Sequence, residues 1–449
     1  MMTRTLIRNA TIVTMDSKLG TIQLGEVLIE GDRIGAIGRK IETQDAETID
    51  ASGFIVIPGL INAHLHTWQT ALRGIAGNWA LPEYLKKMHA GLATLFRPED
   101  LYIATLAGAL NQLNCGTTTL VDWCHNNPTP EHNDAAIDAL RESGIHAAFF
   151  HGSPKPNPQP GAQGFWEIPH PRAELERLLE HRSGGLLSIG AAILGPHYST
   201  MDVARHDFRM ARELNVIASM HQGGGVARAP GGWDRLEREG LLGPCVNIVH
   251  GNSLSDDQLA RFGSLGISFT VTPEIEMSMG HGFPITGRLR KLGRAPSLGV
   301  DVETVTSGEM LTVARMALAI ERALDHAGHR EPMIPAQEAL AWATIEGARM
   351  LCMEDRIGSL APGKQADLIM IAADAMNMQP VHDPVAAVVM HTSLANIDSV
   401  MVAGKWKKRC GRLLAGDIKQ KMDQLRESGE RIVRAIHSPP GMPYDGDVR

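Results

Sequence analysis

No apolar run in this sequence of 449 residues approaches the roughly 20 residues that a membrane-spanning helix needs. The first residues reach Arg8 and Asn9 too early for the hydrophobic core of a signal peptide. Both absences argue against a membrane or secretory role. They predict a cytoplasmic protein.

Cysteine is also scarce, with five widely spaced residues and no Cys-x-x-Cys motif. An odd, scattered set excludes a disulfide framework and a cysteine zinc knot, and it predicts free thiols. No block of lysine or arginine stands out, and the net charge is −7. A nucleic-acid partner is therefore not expected, and neither is deamination of a flipped base, which needs a basic channel. The expected partner is a small molecule.

What the sequence does contain is a repeated unit, in which a short apolar run is followed by a polar turn and a helical stretch. Near-continuous apolar runs are typical of parallel strands that are buried on both faces. The predicted strands are 60–66, 118–122, 147–150, 187–193, 216–220, 246–250, 268–272 and 297–301. Helices predicted between them include 99–113, 133–143, 171–181, 203–214 and 255–262. Eight such units predict an α/β protein with a (β/α)8 TIM-type barrel, whose functional residues collect at the C-terminal ends of the strands.

The two flanks of this repeat have a strand-and-turn pattern instead. The pattern predicts short apolar strands within residues 3–57, 366–371 and 397–406, around hairpin-type turns at Gly31-Asp32 and Ala403-Gly404. We therefore predict a small β-sandwich built from both termini, with the barrel inserted between its parts. The expected boundaries are 1–57, 58–360 and 361–415, followed by a C-terminal helix (418–436) and a loose tail within 416–449.

The most informative motif, Asn62-Ala63-His64-Leu65-His66, closes the first barrel strand. Side chains of a strand alternate between its faces, so His64 and His66 project to the same side. Two imidazoles there can hold one metal ion, and the alternative is a pair of packed strand-end histidines. Polar residues at the other strand ends favour the metal: Asp122, His125, His151, His197, His221, His250, Glu274 and Asp301.

Four segments carry a resemblance to a known family, namely 58–74, 114–119, 249–251 and 357–368. Together they resemble the amidohydrolase superfamily, in the branch that holds cytosine, guanine and S-adenosylhomocysteine deaminases and the triazine chlorohydrolases. The resemblance covers nearly the whole chain. It implies a metal-dependent hydrolase and is far less specific for the substrate.

The resemblance also implies that His64, His66, His221 and Asp301 bind one divalent metal ion. Three imidazoles and a carboxylate suit Zn²⁺, and Fe²⁺, Co²⁺ or Mn²⁺ accept the same donors. In the family pattern the metal activates water, Asp301 carries the proton to the leaving group, and His250 holds the nucleophile. The alternative for His250 is a core imidazole whose hydrogen bonds are satisfied.

One position departs from this branch. Its members carry a glutamate three residues after the fifth-strand histidine, which protonates a ring nitrogen of the substrate, and this chain has Gly224 there. We expect Glu274, just after the seventh strand, to be the substitute acid or to anchor a substrate amine; the alternative is a solvated loop carboxylate. Glu276 shares a face with Glu274 if the segment is extended, and it is expected to contact substrate.

Other residues are expected to line the substrate pocket. Trp68 and Gln69 directly follow the metal pair, and His125, His197 and His281 follow later strands. For the three histidines, the alternative is an ordinary loop position.

The expected function is displacement of an amine or chloride from a small, nitrogen-rich heterocycle by activated water. Gly224 favours an alternative, hydrolysis of a carbamoyl-type C–N or C–S bond as in molinate and phenylurea hydrolases, because a carbonyl carbon is attacked without ring protonation. A non-catalytic ligand-binding barrel is a second alternative. Such barrels typically lose metal ligands, and this chain keeps all four. A homo-oligomer, dimer or larger, is expected.

Overall fold

The chain folds around two β-sheets, and its computed structural model describes residues 4–153, 163–325 and 333–437. The strands are β1 (Arg4–Val13), β2 (Thr21–Glu30), β3 (Arg33–Gly38), β4 (Glu47–Asp50), β5 (Phe54–Pro58), β6 (Leu60–Leu65), β7 (Thr117–Cys124), β8 (His146–Gly152), β9 (Leu187–Ala192), β10 (Ala218–Gln222), β11 (Val246–His250), β12 (Ser268–Val271), β13 (Ser297–Leu298), β14 (Leu368–Ala372), β15 (Ile397–Val402), β16 (Lys405–Arg409) and β17 (Arg412–Leu413).

The helices are α1 (Leu81–Tyr84), α2 (Pro98–Asn114), α3 (Pro130–Ser143), α4 (Arg172–Arg182), α5 (Gly195–Tyr198), α6 (Met201–Glu213), α7 (Gly232–Arg238), α8 (Asp256–Ser264), α9 (Pro273–Ser278), α10 (Thr286–Lys291), α11 (Met310–Asp325), α12 (Ala336–Trp342), α13 (Ile345–Met350), α14 (Pro384–His391) and α15 (Ile418–His437). Short 3-10 turns lie at Thr67–Leu72, Leu92–Leu95, Phe165–Glu167 and Leu394–Asn396, and a π turn lies at Leu85–His89. The five helices predicted inside the barrel are α2, α3, α4, α6 and α8.

Strands β6 to β13 form an eight-stranded sheet in sequence order, and every neighbouring pair is parallel. Every residue of β6, β7, β8 and β11 is buried, as the apolar runs predict. The first and last strands meet through a parallel bridge between Leu65 and Asp301. Asp301 N–H donates to the His64 carbonyl at 2.9 Å, and His66 N–H donates to the Asp301 carbonyl at 2.8 Å. The predicted (β/α)8 barrel is confirmed.

The last barrel strand is shorter than predicted, because β13 covers only Ser297–Leu298. Gly299 follows it and lies directly against the first strand. A Cβ atom on Gly299 would stand 2.7 Å from the Cβ of His64, so a glycine is needed for this approach. The close approach brings Asp301 beside the histidine pair.

The second sheet has the order β17-β16-β15-β14-β5-β1-β2-β3, with β4 beside β1. The two ends of the chain are joined where β5 pairs antiparallel with β14. The predicted hairpins connect β2 to β3 and β15 to β16. Aliphatic residues of this sheet, such as Ile12, Val56 and Leu368, form a core of their own. The expected small β-domain from both termini is confirmed, and its boundary residues stay a prediction.

The predicted C-terminal helix is α15, which packs on α2. There the hydroxyl of Ser428 donates to Asp100 Oδ1 at 2.7 Å. The predicted loose tail lies outside the described residues. No described helix combines the length and the apolar character that crossing a membrane requires.

Candidate active site

Four side chains, here called the floor cluster, meet at the C-terminal end of the barrel: His64, His66, His221 and Asp301. Their ligating atoms all lie within 4.8 Å of one another. The Nε2 atoms of His64 and His221 are 3.2 Å apart, and Asp301 Oδ1 is 3.4 Å from Nε2 of both His64 and His66. Tetrahedral ligands with metal–nitrogen bonds of about 2.0–2.1 Å stand roughly 3.3 Å apart, so this spacing fits one small divalent ion.

Hydrogen bonding and burial set the protonation of the histidines in the floor cluster. His66 Nδ1 lies 2.7 Å from the Trp123 carbonyl oxygen. Since a carbonyl only accepts, Nδ1 carries the ring proton, and Nε2 keeps its lone pair for the site. Burial lowers the pKa of His64 and holds the pKa of His221 well below its usual value, so both rings are neutral at pH 7.

Asp301 stays ionised although it is buried. Burial alone would raise the pKa of its carboxyl, but the hydrogen bond with His64 and the electrostatic attraction of the nearby His250, His64 and His66 rings hold that pKa well below its usual value. The floor cluster therefore combines one ionised carboxylate with three imidazole rings. This donor set suits a divalent metal such as Zn²⁺.

A buried carboxylate holds His250 beside the floor cluster. His250 Nδ1 lies 3.2 Å from Glu276 Oε1 and 3.2 Å from Thr272 Oγ1. Glu276 is fully buried, and its Oε1 also accepts the Thr272 backbone N–H at 2.9 Å. An ionised carboxylate only accepts, so this contact keeps a proton on Nδ1. His250 Nε2 then faces Asp301 Oδ2, 3.8 Å away.

Two site residues have a left-handed backbone. The φ angle is 69° at His250 and 71° at Asp301, a region that residues other than glycine rarely adopt. Such a conformation costs on the order of 1–3 kcal/mol and persists only where the surrounding structure enforces it, often at functional sites. The strain at these two strand ends is consistent with a catalytic role.

A cavity of about 270 Å³ opens above the floor cluster. The predicted residues that line it are His66, His125, His221, His250, His281 and Asp301. Apolar side chains form much of the remaining wall, among them Leu81, Trp123, Leu194, Ile275 and Met279. A mostly apolar wall with a few converging polar groups is typical of a small-molecule site.

The segment after β12 is helical, so the condition for Glu274 and Glu276 to share a face, an extended segment, is not met. Pro273 opens α9, and Glu274 and Glu276 both lie in its first turn. Residues two apart on a helix point roughly 200° apart. Glu276 therefore contacts His250, whereas Glu274 Oε2 accepts a hydrogen bond from Thr306 Oγ1 at 2.6 Å. Neither carboxylate lines the cavity, although substrate contact was expected of both.

Trp68 and Gln69 lie behind the cavity wall and do not line it. Both are fully buried in the turn after the histidine pair. Gln69 Nε2 donates to Tyr84 Oη at 2.5 Å, and the Trp68 ring packs 5.7 Å from the His125 ring. Tyr84 and His125 do line the cavity. Trp68 and Gln69 thus support residues of the wall.

His197 anchors the loop after β10 and is absent from the cavity lining. Its Nε2 donates to the Gly224 carbonyl at 3.1 Å, and its Nδ1 accepts from Gln222 Nε2 at 3.2 Å. A Cβ atom on Gly224 would meet nothing within 4 Å. Packing therefore does not force a glycine where the deaminase branch carries its acid.

Sequence reasoning missed several residues that line the cavity: Tyr84, His89, Ser153, Tyr198 and Arg228. They come from several separate segments of the chain, including the short helices α1 and α5. His89 belongs to the π turn and its Nε2 lies 3.5 Å from His125 Nε2. No local pattern in the sequence marks such long-range contacts.

Comparison with known families decides the identity of the barrel. The model described as the amidohydrolase family matches residues 55–407. The chain belongs to the amidohydrolase family. The predicted family and fold class are thereby confirmed.

Curated amidohydrolase relatives match along nearly the whole chain. An 8-oxoguanine deaminase of Pseudomonas aeruginosa is 30% identical over 462 residues, which cover 96% of this chain and 100% of the relative. A 5-methylthioadenosine/S-adenosylhomocysteine deaminase of Symbiobacterium thermophilum is 29% identical over 457 residues, with coverage of 96% and 100%.

A solved structure with the same fold is a mutant of atrazine chlorohydrolase from Arthrobacter aurescens, complexed with zinc and atraton. It superposes with a TM-score of 0.85 at 22% identity and covers 94% of this chain and 99% of its own. An adenosine deaminase from Xanthomonas campestris with bound zinc has a TM-score of 0.82 at 23% identity, with coverage of 96% and 98%. At these identities the two structures support the fold alone.

Proposed function

We propose that this protein is a metal-dependent hydrolase that uses water to remove an amine, or a chloride, from a small nitrogen-rich heterocycle. The observation that carries the proposal is the convergence of the floor cluster beneath a cavity, with His250 beside it. The whole-chain relatives named as deaminases support deamination as the main reaction.

The floor cluster would hold the metal, and we propose Zn²⁺, with Fe²⁺, Co²⁺ and Mn²⁺ as alternatives. When bound, such an ion supplies a Lewis acid that makes water more acidic. His64, His66 and His221 would each offer one Nε2 lone pair, and Asp301 would offer a carboxylate oxygen.

The contacts of Asp301 support a role in proton transfer. Its Oδ1 faces the histidine ligands, and its Oδ2 lies 3.4 Å from Thr272 Oγ1 and 3.8 Å from His250 Nε2. In the proposed reaction Asp301 takes a proton from the attacking water and delivers it to the leaving group.

Glu276 is proposed as a positioning residue that acts through His250. It keeps a proton on His250 Nδ1 and so directs Nε2 into the cavity. From there Nε2 would hold the attacking water or stabilise negative charge that develops on oxygen.

Gly224 favours a second candidate, hydrolysis of a carbamoyl-type carbon. Among the described residues that line the cavity, the one carboxylate is Asp301. No other described acid is therefore placed to protonate a ring nitrogen, and attack on a carbamoyl carbon needs no such step. The deaminase relatives favour the first candidate, so this one ranks second.

The test is a screen of zinc-loaded enzyme for released ammonia, chloride or amine with purines, pterins, triazines, carbamates and ureas. We expect ammonia from an aminated heterocycle, and we expect Asp301→Asn to lower turnover by about 10²–10⁴-fold, the usual contribution of a positioned proton carrier. Amine released only from carbamates or ureas would favour the second candidate. Unchanged turnover in the Asp301→Asn enzyme would contradict the mechanism.

Asp122→Asn is the matched control for this substitution. Asp122 is also fully buried in a barrel strand, and its Oδ1 accepts the Thr67 backbone N–H at 3.2 Å. Burial raises the pKa of Asp122 to about 7, so an uncharged amide is a mild replacement. We expect a far smaller loss of turnover than in Asp301→Asn. The cytoplasmic location and the homo-oligomer stay predictions of the sequence.

A further inference from the structure

The cavity carries a charge that the proposed reaction does not use. Among its described lining residues, Asp301 is the one carboxylate and Arg228 is the one lysine or arginine. Asp301 belongs to the floor cluster, so the rest of the described wall has a positive charge without a matching negative one. Such a wall attracts a substrate that carries an anionic group.

The guanidinium of Arg228 is held in place without being neutralised. Its central carbon lies 3.6 Å from the centroid of the Trp166 ring. Stacking orients the guanidinium plane and leaves the N–H groups at its edge available. No carboxylate of the described residues lies within 4.0 Å of this group. By contrast, Arg205 and Arg261 form ion pairs with carboxylates at 2.9 and 2.8 Å.

The loop that carries Arg228 is fixed by contacts that do not involve its side chain. Residues 222–229 contain no other charged residue. Arg228 N–H donates to the His197 carbonyl at 3.0 Å, and Ala229 N–H donates to the Pro196 carbonyl at 3.1 Å. These two backbone hydrogen bonds and the hydrogen bond from His197 to Gly224 hold Arg228 at the cavity without the help of a ligand.

We propose that Arg228 binds a carboxylate of the substrate, so that the preferred substrates are acidic heterocycles. This rests on the proposed function, because it assumes that a heterocycle occupies the cavity. A guanidinium edge presents two parallel N–H donors, which match the two oxygens of a carboxylate. A cavity of about 270 Å³ has room for a small ring system with one acidic substituent.

The test is calorimetric titration of zinc-loaded protein with matched pairs of ligands that differ by one carboxylate. Pterin with pterin-6-carboxylate, and cytosine with 5-carboxycytosine, are suitable pairs. We expect the acid to bind the native protein roughly ten- to hundredfold more tightly than its uncharged parent, the gain from charge-assisted hydrogen bonds. Arg228→Met should abolish this preference, so that acid and parent bind with similar affinity, and Arg228→Lys should restore part of it.

The control is Arg238→Met, which removes an exposed arginine of α7 outside the cavity lining and should keep the preference. Equal affinity of the acids for the native and Arg228→Met proteins would overturn the proposal, since the carboxylate would then bind elsewhere, for example to the metal. So would failure of every acid to bind more tightly than its parent. Binding needs no turnover, so ammonia release with failed titrations would remove the role of Arg228 and leave the hydrolase.

Discussion

Two clusters of histidines lie near the ends of the barrel strands, and they are built differently. The floor cluster has His64 Nε2 and His221 Nε2 3.2 Å apart. The second cluster, the β8 pair, consists of His151 at the end of β8 and His170, with His151 Nδ1 3.0 Å from His170 Nε2. By the distance between imidazoles alone, the two are alike.

The difference lies in what else faces the rings. In the β8 pair the second nitrogen of His170 is bonded to the Ser153 hydroxyl at 3.0 Å. The nearby carboxylate of Asp207 binds the backbone N–H of His170 instead of a ring of the pair. In the floor cluster a carboxylate oxygen lies 3.4 Å from two ring nitrogens. Within the described residues, the floor cluster is the one group of three or more such side chains whose ligand atoms converge.

A short distance between two imidazoles is therefore not sufficient to predict a metal site. In the β8 pair, no third ligand atom of the described residues converges with the two rings. An ionised carboxylate that faces the same point supplies the charge that a divalent ion needs. The sequence grouped His151 with the metal candidates because it also lies at the end of a barrel strand. Only the folded structure shows that its side chain is not part of the floor cluster.

The largest effect expected from this difference is on bound metal. His221→Ala should remove most of the metal and nearly all turnover, because it deletes one of four ligands. His151→Ala, the matched substitution in the β8 pair, should leave the metal content close to that of the native protein. Elemental analysis of the purified proteins measures both. Equal metal content in the two variants would contradict the assignment of the floor cluster.

A smaller effect is expected at the carboxylate that orients His250. Glu276→Gln should lower kcat about 10–100-fold, the usual cost of losing a partner that orients an active-site histidine, with little change in KM. Glu274→Gln is the matched control in the same helical turn, and it should leave kcat almost unchanged because Glu274 is bonded to Thr306 outside the cavity.

Comparing Glu276→Gln with Glu274→Gln shows which of the two glutamates supports catalysis: Glu276, as the structure indicates, or Glu274, as the sequence suggested. Steady-state kinetics gives kcat and KM for both variants. Circular dichroism gives the folded fraction of each, because unfolded enzyme lowers the apparent kcat without changing KM. A large loss of kcat in Glu274→Gln, with none in Glu276→Gln, would return the role to the residue that the sequence favours.

The fold was predictable because its signal is local and repeated. Eight apolar runs gave the barrel strands, and β11 has the predicted bounds, Val246–His250. His64 and His66 were predictable because alternation along one strand places them on one face. The metal ligands on other strands, His221 and Asp301, were assigned from a family resemblance, and the structure brings them to the same point.

The rest of the site depends on contacts that no local pattern encodes. The sequence left open whether the segment with Glu276 is extended, although Pro273 and the acidic residues after it are a helix-start signal. Arg228 had no such signal. The binding role proposed for Arg228 depends on its contact with Trp166, which lies more than 60 residues earlier in the chain, and on the absence of a carboxylate partner among the described residues.

The smallest expected effect concerns the β8 pair and the pH dependence of stability. Burial lowers the pKa of His151 from 6.5 to about 3 and holds the pKa of His170 well below its usual value. Between these values the unfolded chain binds protons that the folded chain does not, so the free energy of unfolding falls as the pH is lowered from about 6.5 towards 3.

Replacing His151 by glutamine removes one of these protonation sites. The free energy of unfolding of His151→Gln should therefore fall less steeply with acid, by up to about 1.4 kcal/mol per pH unit for one proton. Urea unfolding of both proteins between pH 7 and pH 4 measures the slopes. The raised pKa of Asp207, about 6, acts in the opposite direction but is common to both proteins and cancels in the difference. Parallel slopes would mean that His151 is protonated in the folded protein, and the β8 pair would then be no neutral counterpart of the floor cluster.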